Sequence, residues 1–228
     1  MSGLPAEVDE ARAEVVHFAR RMVTDRLVRG TSGNISRRVG QFVAITPGAV
    51  EYDVLTDEDV VVMTVGGDRV AGRRNPSSET PLHLGIYRRT PASAVVHTHS
   101  TFATVVGVVA EELPSVHYMT ASMGPGAVPV VPYSRYGSEE LARSVGEALA
   151  DRSAVLMGNH GAVAHGASLL QAYNRAQNLE WMCEVFVNSM SIGAPRLLGD
   201  AEIGMVAERM RTRGYLGSVE PIGEGEAR

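Results

Sequence analysis

Three histidines and one glutamate carry the chemistry that this sequence offers most directly. His97-Thr-His99 closes an apolar run that begins at Ala94. Residues i and i+2 of a strand project to one face, so both imidazoles converge where the strand ends. Two such rings suit a borderline divalent cation, although a lone His-x-His also occurs as plain polar surface. His160 adds weight. It sits in Gly158-Asn-His-Gly161 between two apolar runs, where the glycines let the backbone bend and present the ring. Three imidazoles leave a coordination position open for substrate, the pattern of a catalytic rather than a structural zinc site. The same donors accept Mn2+, Co2+ or Fe2+.

Glu79, in Pro76-Ser-Ser-Glu-Thr80, is the candidate acid/base. A glutamate in the first turn of a helix often does no more than complement the helix dipole, worth a few tenths to about 1 kcal/mol. The paired serines favour a functional role, because hydroxyls and free amides at a helix N-terminus bind phosphate. Gly30-Thr-Ser-Gly-Asn34 is a second anion-binding candidate, weak alone, whose small residues expose backbone amides.

These residues need a frame. Val8, Ala11, Val15, Phe18, Met22 and Leu27 predict an amphipathic helix over about 5–28. A hairpin follows over 35–38 and 41–46, then a turn capped by Thr56 and Asp59, and strands over 60–65 and 69–71 around Gly66-Gly67-Asp68. A helix opens within 75–81, with a serine as N-cap, and runs to about Arg89. A strand over 94–99, a helix over 101–110 and a strand over 128–131 come next. Ser138 caps a helix to about Asp151, strands occupy 154–157 and 162–165, and Ser168 caps the longest helix, to about Met190. A last helix over about 200–211 precedes a Gly- and Glu-rich tail, about 214–228, that should be mobile. Strands thus occur singly or as hairpins between helices. One α/β domain with helices on both faces of a sheet is expected, and the hairpins argue against a purely parallel sheet.

Composition bounds the function. The chain has 228 residues, 44% hydrophobic and 21% charged, with a net charge of −5. It shows no basic stripe for nucleic acid and no apolar run of the roughly 20 residues that span a bilayer. One cysteine, Cys183, excludes an internal disulfide, and the N-terminus does not read as a signal peptide, so a cytoplasmic protein is expected. Cys183 reads as core packing, Trp181, Met182 and Phe186 as core or subunit interface, His17 as polar helix surface, His83 as packing, and Ser138 as a cap rather than a nucleophile.

Gly30-Thr-Ser-Gly-Asn-Ile-Ser36, Ile45-Thr-Pro-Gly48, Pro76-Ser-Ser-Glu79, His97-Thr-His99, His117-Tyr-Met119 and Asn159-His-Gly161 stand in the order seen in class II aldolases of the aldolase/adducin family. The chain resembles that family, above all its L-fuculose-1-phosphate aldolase branch, from the first helix to about residue 212. The resemblance implies a three-layer αβα sandwich with a mixed, mostly antiparallel sheet, and a homotetramer with active sites between subunits. It implies His97, His99 and His160 as zinc ligands, and Glu79 as an acid/base that also touches the metal. Gly33, Asn34, Gly48, Ser77 and Ser78 match phosphate-binding positions, and Tyr118 matches a proton donor reaching the neighbour's site. The implied reaction is reversible cleavage of a ketose 1-phosphate to dihydroxyacetone phosphate and an aldehyde. Related outcomes are 4-epimerisation, dehydration or decarboxylation of a sugar phosphate, and a non-enzymatic relative is the adducin-like interaction domain. The latter predicts a broken histidine triad, whereas this chain keeps all three. Two departures stand out. Gly48-Ala49 replaces a hydroxyl residue common after Thr-Pro, and the aldolases' C-terminal tyrosine has no clean match, with Tyr215 nearby and Arg213 closer in register. The related epimerases carry Asp where Glu79 stands, which favours the aldolase.

Overall fold

The computed structural model describes residues 4–215, so most of the tail expected to be mobile lies outside the described residues. Helix α1 (Ala6–Thr24) buries Val8, Ala11, Val15, Phe18 and Met22 along one stripe, the spacing of a half-buried helix. It stops short of the expected residue 28. Arg26 takes φ +58°, the Leu27 N–H donates to the Met22 carbonyl at 2.9 Å, and the Arg26 N–H to the Val23 carbonyl at 3.1 Å. This paired reversal is a Schellman ending, and it turns Leu27 and Val28 into the core.

The remaining elements are β1 (Asn34–Val39), β2 (Phe42–Ile45), β3 (Val61–Thr64), β4 (Arg69–Ala71), α2 (Thr80–Arg89), β5 (Ala94–Thr98), α3 (Thr101–Val109), β6 (Glu112–Leu113), β7 (Val128–Val131), α4 (Glu139–Ala148), β8 (Ala154–Met157), β9 (Gly161–Gly166), α5 (Leu169–Ile192) and α6 (Asp200–Thr212). The expected capped turn is a short 3-10 turn over Asp57–Asp59, in which the Asp59 carboxylate accepts from the Thr56 N–H at 3.1 Å. Three elements were not anticipated, β6 and the 3-10 turns over Tyr52–Val54 and Tyr118–Ser122. All are too short to show a periodic hydrophobic signal.

The sheet has nine strands in the order β4-β3-β2-β1-β5-β9-β8-β7-β6. Among the described strands only β7 and β8 pair in parallel, so the sheet is mixed and mostly antiparallel, as expected. Strand alternation sorts side chains to two faces. On β5, β8 and β9, Ala94, Val96, Ala154, Leu156, Ala162 and Ala164 join the core shared with α1, α3 and α5. Their neighbours Val95, Val155, Met157 and Val163 join the core shared with α2 and α4. Helices therefore cover both faces, giving three layers αβα. By the same alternation His97 falls on the α2 side of the sheet, where Glu79 enters from the start of that helix.

Candidate metal centre

Each of the four residues is delivered by a different local device. His97 lies inside β5 and His99 one residue past its end, before Ser100, the N-cap of α3. The His99 N–H donates to the Leu27 carbonyl at 3.0 Å, which ties the strand's exit to the loop after α1. Helix α3 is held by Glu180 of α5, whose two carboxylate oxygens each accept from a backbone N–H, Phe102 and Ala103, at 2.8 Å. An anion there also suits the positive end of the helix dipole. His160 sits in the tight β8–β9 turn, where Met157 pairs with Gly161. Gly161 is obligatory. A β-carbon on it would stand 2.1 Å from the Thr98 carbonyl oxygen, so only glycine lets the His160 turn close against the end of β5.

Glu79 departs from the expectation that a serine caps α2. Glu79 itself occupies the N-cap position, and its side chain makes no capping bond. The Ser77 hydroxyl accepts instead from the Glu79 N–H at 3.2 Å. Making no capping bond of its own, the Glu79 carboxylate is free to reach into the sheet.

There it meets all three imidazoles. His97 Nε2 lies 2.9 Å from Glu79 Oε2 and His160 Nε2 lies 3.4 Å from Oε1. His97 Nε2 and His99 Nε2 are 2.9 Å apart. The His97 Nδ1–H donates to the Ala162 carbonyl at 2.9 Å, which fixes the ring and turns Nε2 inward, the usual backing of a metal-bound histidine. The four side chains each offer one ligand atom within 4.8 Å of the others. Glu79 Oε1 is buried and has no hydrogen-bond partner among the described residues. An orphaned carboxylate oxygen beside crowded imidazole nitrogens is costly unless a cation sits among them. The donor set, three nitrogens and a carboxylate, fits a divalent metal of the zinc type.

The electrostatics agree. Burial disfavours the charged form of the Glu79 carboxyl, but attraction to His97 and His160 and the bonds from His97 and Asn34 outweigh it, holding the carboxyl well below the usual carboxylate range. Burial, followed by the neighbouring His97, pushes His99 down to about 3 and His160 to about 4. These rings are neutral at ordinary pH, as metal ligation requires.

The centre opens into a cavity of about 390 Å³ that brings together Gly33, Asn34, Gly48, Ser77 and Ser78 with Glu79, His99 and His160. Two loops that were separate in sequence are zipped to make its wall. The Gly48 N–H donates to the Asn75 carbonyl at 3.1 Å and the Ser77 N–H to the Thr46 carbonyl at 3.2 Å. Tyr133 and Tyr136 also line this cavity. The sequence offered no signal for them, since they lie in an aperiodic connection.

Tyr118 is not brought to this cavity. It is 50% exposed and lines a different one, with Arg209, Arg213 and Tyr215. Cys183 is buried and unpaired, His17 is exposed, and the Ser138 hydroxyl accepts from the Leu141 N–H at 3.1 Å as a cap. His83 was expected to pack; it is fully buried, but both ring nitrogens are hydrogen-bonded, Nε2 to Asn34 Oδ1 and Nδ1 to the Ser36 hydroxyl, each at 2.6 Å. Spacing of four residues from Glu79 was the available sign. Among the described residues no helix is long and apolar enough to cross a membrane.

Comparison with known proteins matches this arrangement. The family profile described as Class II Aldolase and Adducin N-terminal domain fits residues 13–187. The chain is 37% identical over 210 residues to the 5-deoxy-D-ribulose 1-phosphate aldolase of Bacillus thuringiensis serovar kurstaki, covering 91% of this chain and 98% of the relative. It is 32% identical to the L-fuculose phosphate aldolase of Escherichia coli strain K12, covering 91% and 97%. A solved L-fuculose 1-phosphate aldolase superposes with a TM-score of 0.85 at 36% identity, over 89% of this chain and 96% of that one. The chain therefore belongs to the class II aldolase/adducin family, and within it to the metal-dependent aldehyde-lyases.

Proposed function

We propose that this protein is a zinc-dependent aldolase that reversibly cleaves a ketose 1-phosphate to dihydroxyacetone phosphate and an aldehyde. The observation that carries this reading is one cavity in which a four-donor metal centre with a free carboxylate oxygen faces a wall of small and hydroxyl residues. The names of the relatives support it, since they act on L-fuculose phosphate and on 5-deoxyribulose 1-phosphate. Aldolases rather than epimerases among these relatives, and Glu rather than Asp at position 79, favour cleavage over 4-epimerisation, dehydration or decarboxylation. The intact triad disfavours an adducin-like binding role.

His97, His99 and His160 would hold the ion, with Glu79 as a fourth contact when substrate is absent. The ion supplies Lewis acidity beside the ketose carbonyl and its neighbouring hydroxyl. Gly33, Asn34, Gly48, Ser77 and Ser78 would bind the phosphate, contributing binding energy away from the breaking bond. In the cleavage direction the C3–C4 bond breaks, and its electron pair remains with the three-carbon fragment. Glu79 delivers a proton to that carbon; in the reverse direction it removes one. The aldehyde is formed as the C4 hydroxyl loses its proton, and Tyr118 from a second copy of the chain would accept it. Its distance from the centre of its own chain, in a separate exposed cavity, is what a contribution across a tetramer interface requires. The enzyme would act in the cytoplasm.

The test is a panel of aldehydes offered with dihydroxyacetone phosphate to the zinc-loaded protein. Lactaldehyde would give a deoxyhexulose 1-phosphate and acetaldehyde a deoxypentulose 1-phosphate. Carbon–carbon bond formation with at least one aldehyde is expected. Epimerisation of ribulose 5-phosphate, or dehydration of methylthioribulose 1-phosphate without release of dihydroxyacetone phosphate, in the absence of any such bond formation would overturn the aldolase reading in favour of the epimerase or dehydratase.

A further inference from the structure

Glu79, His83 and Tyr87 stand four residues apart along α2 and so share one face of the helix. Asn34 and Ser36 stand two apart on β1 and share one face of the strand. The two sets interlock. Asn34 Nδ2 donates to Glu79 Oε2 at 3.1 Å. Asn34 Oδ1 lies 2.6 Å from His83 Nε2, and His83 Nδ1 lies 2.6 Å from Ser36 Oγ. Ser36 Oγ in turn lies 2.8 Å from the Tyr87 hydroxyl. None of these five residues is more than 5% exposed.

The protons in this chain follow from the geometry. The Asn34 amide nitrogen donates to Glu79, so its oxygen faces His83. That oxygen only accepts, so His83 carries a proton on Nε2. Burial favours the neutral ring, which leaves Nδ1 as a lone pair. Ser36 must donate to Nδ1, which leaves its oxygen to accept from Tyr87, whose phenol burial holds protonated. With that tautomer the chain of donors runs from Tyr87 to Ser36 to His83 to Asn34 to Glu79.

This network makes the two oxygens of Glu79 unequal. Oε2 receives the Asn34 N–H and lies 2.9 Å from His97 Nε2, whereas Oε1 lies 3.4 Å from His160 Nε2 with no hydrogen-bond partner among the described residues. We propose that His83 is a positioning residue, held as the Nε2–H tautomer, which acts through Asn34 to pin Glu79 Oε2 and so present Oε1 as the working oxygen of the acid/base. The proposal deepens the reading of Glu79 as the proton carrier and rests on it, but it makes a statement about His83 that is measurable without turnover.

Two measurements test it. The first is the nitrogen-15 spectrum of histidine-labelled protein, metal-free and zinc-loaded. One neutral histidine protonated at Nε2, which disappears in His83→Phe, is expected in both forms; an Nδ1–H tautomer or an imidazolium at His83 overturns the proposal whether or not the protein is an aldolase. The second compares His83→Phe with His83→Gln, because Gln keeps one donor and one acceptor about as far apart as the two ring nitrogens. His83→Phe should bind one zinc with unchanged stoichiometry, and exchange the carbon-bound proton of dihydroxyacetone phosphate about 10–100-fold more slowly, the usual effect of losing a partner behind a working group. KM should stay within about twofold, and His83→Gln should recover most of the rate. A loss shared equally by kcat and KM, or no rescue by Gln, assigns His83 to packing alone and overturns the proposal. If His83→Phe does not fold, Ser36→Ala replaces it in the comparison, with the His83 tautomer again as the readout.

Discussion

Asn34 and His97 stand directly opposite each other in the antiparallel ladder of β1 and β5, and Glu79 Oε2 bridges their side chains, 3.1 Å from Asn34 Nδ2 and 2.9 Å from His97 Nε2. The candidate metal centre is therefore coupled to the sheet register. A slip of one residue in the β1–β5 pairing would turn Asn34 to the opposite face and leave the carboxylate held on one side only.

His97→Ala is expected to abolish both metal binding and cleavage. His97 is completely buried, its ring is fixed by the Ala162 carbonyl, and its loss would remove a proposed ligand together with the strongest attraction on Glu79. Metal analysis of the purified variant checks this; one zinc per chain at wild-type affinity would overturn the ligand assignment.

Glu79→Gln should retain zinc yet lose the exchange of carbon-bound protons in dihydroxyacetone phosphate, by about 10²–10⁴-fold, the range that general acid–base catalysis supplies. The amide keeps the shape and a hydrogen-bonding oxygen but cannot take up a proton. Solvent deuterium incorporation followed by NMR measures this without a coupled assay, and wild-type exchange in the variant would place the acid/base elsewhere.

Gly161→Ala should damage the centre without touching a ligand. The added methyl would meet the Thr98 carbonyl oxygen at 2.1 Å, backbone against backbone, so the β8–β9 turn must move away from β5. A destabilisation of about 1–3 kcal/mol is expected from such overpacking, with weaker zinc binding because His160 moves with the turn. Thermal unfolding and zinc titration together report both effects; an unchanged variant would show that the turn is free to shift.

Acid should destabilise the metal-free protein before it protonates most carboxylates. Burial pushes His83 and His99 down to about 3 and His160 and His165 down to about 4, while in the unfolded chain histidine titrates near about 6.5. Between those values the unfolded state binds protons that the fold refuses. The stability these groups contribute is complete above about pH 6.5 and declines as pH falls towards 4, by up to about 1.4 kcal/mol per unit for each histidine. Glu79, held low in the fold, adds a loss in the same direction below the usual carboxylate range. Denaturant titrations of the metal-free protein from pH 7.5 to 4.5 should show the midpoint falling with pH; a flat or rising midpoint would mean that these rings are not neutral in the fold.

Much of this protein is legible along the chain because it depends on local rules. Three-four and alternating periodicities mark most of its helices and strands, the caps at Ser138 and Ser168 lie beside the helices they start, and His-x-His on a strand points both rings one way whatever surrounds them. The ordered motifs identified the family and the fold. Other features arise only when distant segments meet. Glu79 displaces serine from the N-cap because its partners lie on β1, β5 and the β8–β9 turn, and Tyr118 is carried to another cavity by a 3-10 turn too short to announce itself. His83 is a histidine with apolar neighbours in the sequence, and its hydrogen bonds reach residues 47 and 49 positions away. The sequence by itself determined the family, the candidate donor residues and the elements that carry them, since these depend on residue type and spacing. Which oxygen of Glu79 is held, by what, and from which direction was decided by the tertiary structure alone, since hydrogen-bond partnership depends on sheet register and helix docking that no local pattern encodes.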